Sequence, residues 1–285
     1  MTHPVDPHPV DAGKGNPAPI EFGCATHAGK VRSQNEDRYF AAPEFGVFAV
    51  ADGMGGHEDG ALASATLVEA LGSIGAAVSA PDLLARLEDR VLRANATLWS
   101  LGRARGATIG STLAVLLTFD SHFACVWSGD SRVYRVRDGA IAQLSRDHTE
   151  ARDLVEKGIL SPEEAKVWPR RNVITKAVGA RPDPELELEH GTLVDGDVFI
   201  LCSDGLVGDV DDAEILACVL ANAPQAACDA LLAMTLRRDA ADNVTVVVLR
   251  SGVAPGAART AAPTRRASET VVVPPNPPPA GGGAP

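Results

Sequence analysis

The sequence predicts an α+β fold in which sheets pack on one another with helices outside. Three observations carry that expectation. Short apolar runs rich in β-branched and aromatic residues recur along the chain, closed by glycine or aspartate as strands are. Two helical patterns stand side by side between two groups of such runs, an order suited to packed sheets with helices on their outer faces. No internal repeat of fixed period interrupts this order.

Residues 1–19 are proline-rich, with no apolar stretch for a signal peptide, and read as a disordered N-terminal segment. The folded domain is expected over residues 20–250. Two early strands lead into "GVFAVADGMGG" (46–56). Next comes "ALASATLVEALGSIGAAVSA" (61–80), where Leu62, Ala65, Leu67, Val68 and Leu71 recur at helical spacing. Glu69 and the many small residues make it an amphipathic helix packed on a sheet rather than a membrane span. A second helix opens at "SAPD", with Pro81 in its first turn and Leu83, Leu84, Leu87, Val91, Leu92 and Leu98 along one side. "STLAVLLTF", "HFACVWSG" and "SRVYRVRDGAIAQL" then read as a β-meander whose last hairpin turns at Asp138-Gly139. Residues 147–178 are charged and irregular, with a helical patch at 150–157. From 251 to 285 the Pro/Ala/Gly-rich tail is expected to be disordered, since its composition cannot form a core. Within it, "TRRASETVVV" (264–273) sets two arginines just before Ser268, a segment suited to a basophilic kinase, with Thr270 close by.

Composition narrows the functional classes. The chain has 285 residues, 45% of them hydrophobic, and a net charge of −11. No basic stripe offsets that charge, which argues against a nucleic-acid surface or a nuclease. Five cysteines (Cys24, Cys125, Cys202, Cys218 and Cys228) show no CxxC spacing, and three lie inside apolar patterns. Buried free thiols in a reducing cytoplasm fit better than disulfides or zinc. The expectation is a cytoplasmic, monomeric protein.

One pattern demands chemistry. The run Gly46–Ala51 drives into Asp52-Gly53, His122–Gly129 into Asp130, and Asp197–Ser203 into Asp204-Gly205, while Asp242-Asn243 opens the run Val244–Leu249. Antiparallel neighbours bring the start of one strand beside the end of another, so the four carboxylates can meet at one edge. Clustered carboxylates repel one another unless a cation lies among them, and hard divalent ions such as Mg²⁺ and Mn²⁺ favour such oxygen ligands.

Seven motifs occur in order: "GKVRSQNED" (29–37), "VADGMGG" (50–56), "GSTLAV" (110–115), "SGDSRVY" (128–134), "SRDHT" (145–149), "LCSDGL" (201–206) and "DNVTVVV" (242–248). Together they resemble the metal-dependent Ser/Thr protein phosphatases, the PPM or type 2C family, in its short bacterial form. The resemblance covers about Ile20 to Arg250 and implies an αββα sandwich of two antiparallel sheets with a binuclear metal centre at one end. It implies two tight Mn²⁺ or Mg²⁺ ions, with Asp52 bridging them, the Gly53 carbonyl on one, and Asp204 and Asp242 on the other. Asp130, with Asp204, matches a weaker third site. Arg32 matches the arginine that grips substrate phosphate, Glu36 and Asp37 the acidic residues lining the centre, and Asn243 a structural neighbour of the last ligand. The implied reaction is hydrolysis of phosphoserine or phosphothreonine by a metal-bridging hydroxide, with phosphorylated proteins as substrates and a eukaryotic-type Ser/Thr kinase as antagonist. Met54 stands where many eukaryotic relatives carry histidine, and Ala241 where glycine is usual. His57 reads as an exposed loop residue and His148 as an anchor for the 147–178 flap. Trp168 is expected to be an apolar contact for substrate.

Overall fold

The alternation along one strand explains the layering. In β3 (Val47–Met54), Val47, Ala49 and Ala51 face one way and Phe48 and Val50 the other, and all five are fully buried. A strand apolar on both faces needs cover on both sides. A computed structural model of the chain describes residues 20–55 and 58–252 and a short strand at Glu269–Val272, and it supplies that cover.

Two antiparallel sheets lie face to face. The first has the order β1 (Ile20–His27), β11 (Val244–Ser251), β10 (Val198–Cys202), β7 (Arg132–Arg137), β8 (Ala140–Gln143). The second runs β12 (Glu269–Val272), β9 (Glu185–Thr192), β6 (His122–Ser128), β5 (Leu113–Phe119), β3, β2 (Asp37–Ala42), with the two-residue β4 (Gly110–Ser111) on the end of β3. Phe48, Val50, Leu116 and Trp127 meet Phe199, Leu201 and Val247 between the sheets. Val47, Ala49 and Ala51 pack outward on α1 (Glu58–Leu71) and α2 (Ala80–Arg105). Val246, Val248 and Ile200 pack on α6 (Asp212–Ala221) and α7 (Pro224–Arg237). The result is the expected αββα sandwich.

The second helix follows its sequence signals. Ser79 caps it by accepting the Asp82 N–H, Pro81 lies in its first turn, and Leu83, Leu87, Val91 and Leu98 are buried. The first departs from expectation. It ends at Leu71 rather than near 80, because Gly72 and Gly75 follow and Gly75 takes φ +67. Its buried stripe is Ala63, Ser64, Leu67 and Leu71, and Leu62 is turned out.

The meander also needs correcting. β5 and β6 form a hairpin in one sheet, but β7 and β8 belong to the other. The chain changes sheets at Gly129-Asp130-Ser131. Gly129 takes φ +110, and a Cβ there would meet the Thr112 side chain at 2.7 Å. The closing hairpin is as expected: Asp138 and Gly139 both have positive φ in a two-residue turn.

In the flap, the expected patch is α3 (Glu150–Glu156), and a second short helix, α4 (Pro162–Lys166), follows with a Ser161/Glu164 capping box. Another short helix, α5 (Asp204–Val207), follows β10. Four residues of the coreless-looking tail, Glu269–Val272, pair with Glu185–Leu188 of β9 and cover that sheet edge. Residues 1–19, His57 and Ser268 lie outside the described residues. The cysteines are free, and all but Cys24 are buried.

Candidate metal centre

Strand parity aims the carboxylates at one place. Asp52 shares the face of Phe48 and Val50, toward the opposite sheet, and β3 continues past it to pair Gly53 with Ser111. Asp37 opens β2 directly across from Asp52 in the register. Asp130 comes from the sheet-changing turn, Asp204 from the first position of α5, and Asp242 from the loop before β11. Arg32, in the β1–β2 loop, sets its Nη2 2.7 Å from Asp242 Oδ2 and is half exposed.

Such a gathering is costly without a counter-charge. Asp37 is fully buried, and one oxygen accepts from Ser203 Oγ at 2.7 Å. Burial outweighs its bonds from Ser203 and Thr245, and with Asp204 and Asp242 near it the carboxyl is pushed up to about 7. Burial and then Asp204 and Asp147 push Asp130 up to about 8. Burial also raises Asp52, helped by Asp37, Asp204, Asp130 and Asp242, and it raises Asp204, helped by Asp242. The hydrogen bond to Asp242, and then the nearness of its charge, hold Arg32 more firmly charged.

One oxygen on each of Asp37, Asp130 and Asp204 is buried with no hydrogen-bond partner among the described residues. Buried carboxyl oxygens in that state are satisfied only by a proton or a cation, and their raised values show how strongly the ionised forms lack a counter-charge. The donors are all oxygen, which selects hard ions of the Mg²⁺ and Mn²⁺ kind over zinc or copper. Among the described residues no three His, Cys, Asp or Glu side chains close into a ready-made cage. The residues present fit divalent cations.

A hydroxyl network holds the carboxylates in place. The Asp52 N–H donates to Thr112 Oγ1 at 3.0 Å, and the Asp52 carbonyl accepts from Thr112 N and Ser111 Oγ. Thr112 Oγ1 also pairs with Ser131 Oγ at 2.7 Å, tying Asp52 to the Asp130 turn. Asn243 is structural as expected. It accepts the Glu36 N–H at 2.8 Å and donates to the carbonyls of Ala28 and Gln34. The Glu36 carboxylate lies against Gly60, where a Cβ would come within 2.7 Å of it. Ala240, the neighbour of the Ala241 that stands where glycine is usual, carries the strained backbone, with φ +43. Bonds from Lys30 N to its carbonyl and from its N–H to Asp209 hold it there.

The flap is anchored as expected at His148. Its Nδ1 accepts the Gly129 N–H at 3.1 Å, and its Nε2 lies 3.0 Å from Glu187. Arg146 and Lys176 reach the same carboxylate at 2.6 and 3.0 Å. Trp168 is tied into the flap, its Nε1–H donating to Glu150 at 3.1 Å. Sequence reasoning missed Thr112, Ser131 and Ser203. Their signal was the hydroxyl directly beside or across from each key aspartate.

The family model described as Protein phosphatase 2C matches residues 26–237. PstP, a serine/threonine protein phosphatase of Mycobacterium tuberculosis, is 34% identical over 232 residues, covering 80% of this chain and 44% of PstP. Protein phosphatase PhpP of Streptococcus pneumoniae is 30% identical over 240 residues, 81% of this chain and 97% of PhpP. A solved PstP catalytic domain in complex with two manganese ions has a TM-score of 0.74 at 32% identity, covering 82% of this chain and 98% of that one. The chain belongs to the protein phosphatase 2C family. It spans less than half the length of the mycobacterial relative, 44%. Among the described residues no helix is long and apolar enough to cross a membrane.

Proposed function

We propose that this chain is a divalent-metal-dependent protein phosphatase acting on phosphoserine and phosphothreonine, opposing a Ser/Thr kinase. One observation carries the reading: five aspartates from five chain segments converge at one end of the sandwich, three of them with an unpartnered buried oxygen. In this proposal Asp52, the Gly53 carbonyl, Asp204 and Asp242 hold two ions, Asp130 with Asp204 holds a weaker third, and Glu36 and Asp37 line the centre. The bound ions supply charge neutralisation and a water acidic enough to serve as nucleophile.

The chain's own residues do the rest. Arg32, already charged and half exposed beside Asp242, offers a planar guanidinium to two phosphate oxygens. Thr112 and Ser131 keep Asp52 and Asp130 at a fixed separation, so the site is formed before substrate arrives. Cys202, the cysteine nearest in sequence to a site aspartate, is unsuited as a nucleophile: it is fully buried, and burial pushes its thiol up to about 12. The test is release of phosphate from phosphoserine and phosphothreonine peptides with Mn²⁺, against a chelator and a phosphotyrosine peptide. Turnover that survives exhaustive chelation would refute metal dependence.

A further inference from the structure

A groove of about 750 Å³ runs between the flap and the metal end. Asp130 and Asp204 line it where it meets the carboxylate cluster, and Ala151, Val155, Ala165 and Val207 give it apolar walls. It is far larger than a phosphate needs and falls in the range that holds a peptide-sized ligand.

Its charges are uneven. Arg132 is held by both Asp147 oxygens, at 2.7 and 3.0 Å, and Arg152 reaches Glu156 at 3.3 Å. The side chains of Lys166 and Arg171 also line the groove. Both side chains are exposed, and among the described residues neither side chain engages a carboxylate or a hydrogen-bond partner. On a chain of net charge −11, two unpaired cations in the wall of a groove that opens from the site are an exception to the surrounding field.

Resting on the phosphatase reading above, we propose that Lys166 and Arg171 select phosphoproteins carrying acidic residues beside the phosphorylated one, by holding that flank in this groove. The occupant is an extended substrate segment. Its phosphoresidue lies at the Asp130/Asp204 end, its backbone runs over the apolar wall, and its carboxylates face the two cations. The contacts are exposed, so each contributes a few-fold rather than orders of magnitude, and salt weakens them.

The test uses the full chain with Mn²⁺ and three substrates: p-nitrophenyl phosphate, a phosphothreonine peptide with glutamates flanking the phosphoresidue, and the same peptide with lysines there. The wild type is expected to favour the acidic peptide by roughly tenfold in kcat/KM at low salt, with the preference shrinking as salt rises. The K166E/R171E double variant is expected to reverse that preference while hydrolysing p-nitrophenyl phosphate as the wild type does. Equal rates on both peptides by the wild type, or a preference unchanged in the double variant, would overturn the inference alone. A wild type inert toward p-nitrophenyl phosphate would overturn the phosphatase reading, and this inference with it.

Discussion

Asp37→Asn should make the metal-free protein more stable at neutral and alkaline pH. Asp37 is fully buried opposite Asp52, and burial with its acidic neighbours raises it from 3.8 to about 7. A carboxyl raised in the folded state favours folding fully only below its unfolded value. That contribution is lost as pH rises from 3.8 to about 7. At about 1.4 kcal/mol per pH unit the whole loss is about 4 kcal/mol. Asparagine cannot ionise, and its amide oxygen can still take the Ser203 hydrogen bond. Roughly 10 °C in Tm is at stake for a domain of this size. The assay is thermal or urea unfolding of wild type and variant in chelator, from about pH 5 to about pH 8.5. The variant's advantage should grow across that interval and level off near its top. Mn²⁺ should then stabilise the wild type more than the variant, because only the wild type has that charge to neutralise. Parallel pH profiles in chelator would refute the argument that this carboxylate is held under repulsion.

Other perturbations separate the site's parts. Arg32→Ala should raise KM for small phosphoesters while leaving Mn²⁺ affinity little changed; a large loss of metal affinity would contradict its assignment to phosphate. Thr112→Val leaves the Asp52 N–H without its hydroxyl partner, a loss of about 1–3 kcal/mol, and should lower kcat measurably at saturating Mn²⁺. Glu187→Gln should destabilise the protein at neutral pH by up to about 3 kcal/mol. Burial opposes the Glu187 charge, yet His148, Lys176 and Arg146 hold the carboxyl at about 2 against 4.5. A lowered carboxyl contributes above its unfolded value and loses that contribution as pH falls through the folded one, so the variant's deficit in urea unfolding should shrink in acid.

The residues that terminate elements were legible because their signals are local. Alternation in β3 announces a strand covered on both faces, and its parity already aims Asp52 between the sheets. Asp138-Gly139 and the Ser79–Pro81 cap likewise act on their own backbone. What escaped depends on partners distant in sequence. Nothing local says whether β7 pairs with β6 or with β10, so the change of sheets at Gly129 looked like an ordinary meander turn. The resemblance puts Asp37 along the centre, but its place directly across from Asp52 comes from the β2–β3 register. The tie from Trp168 to Glu150 was not legible because its acceptor lies eighteen residues earlier in the chain. Lys166 and Arg171 stood among many flap charges, and only the folded arrangement shows which of those charges are paired.

In the proposed centre one carboxylate, Asp52, holds both tight ions. Calorimetric titration of Mn²⁺ into the metal-free wild type and Asp52→Ala, with phosphopeptide turnover measured on the same samples, tests it most directly. Two tight sites are expected in the wild type, with both weakened and turnover abolished in the variant. A variant that keeps either a tight site or near-normal turnover would contradict that role for Asp52.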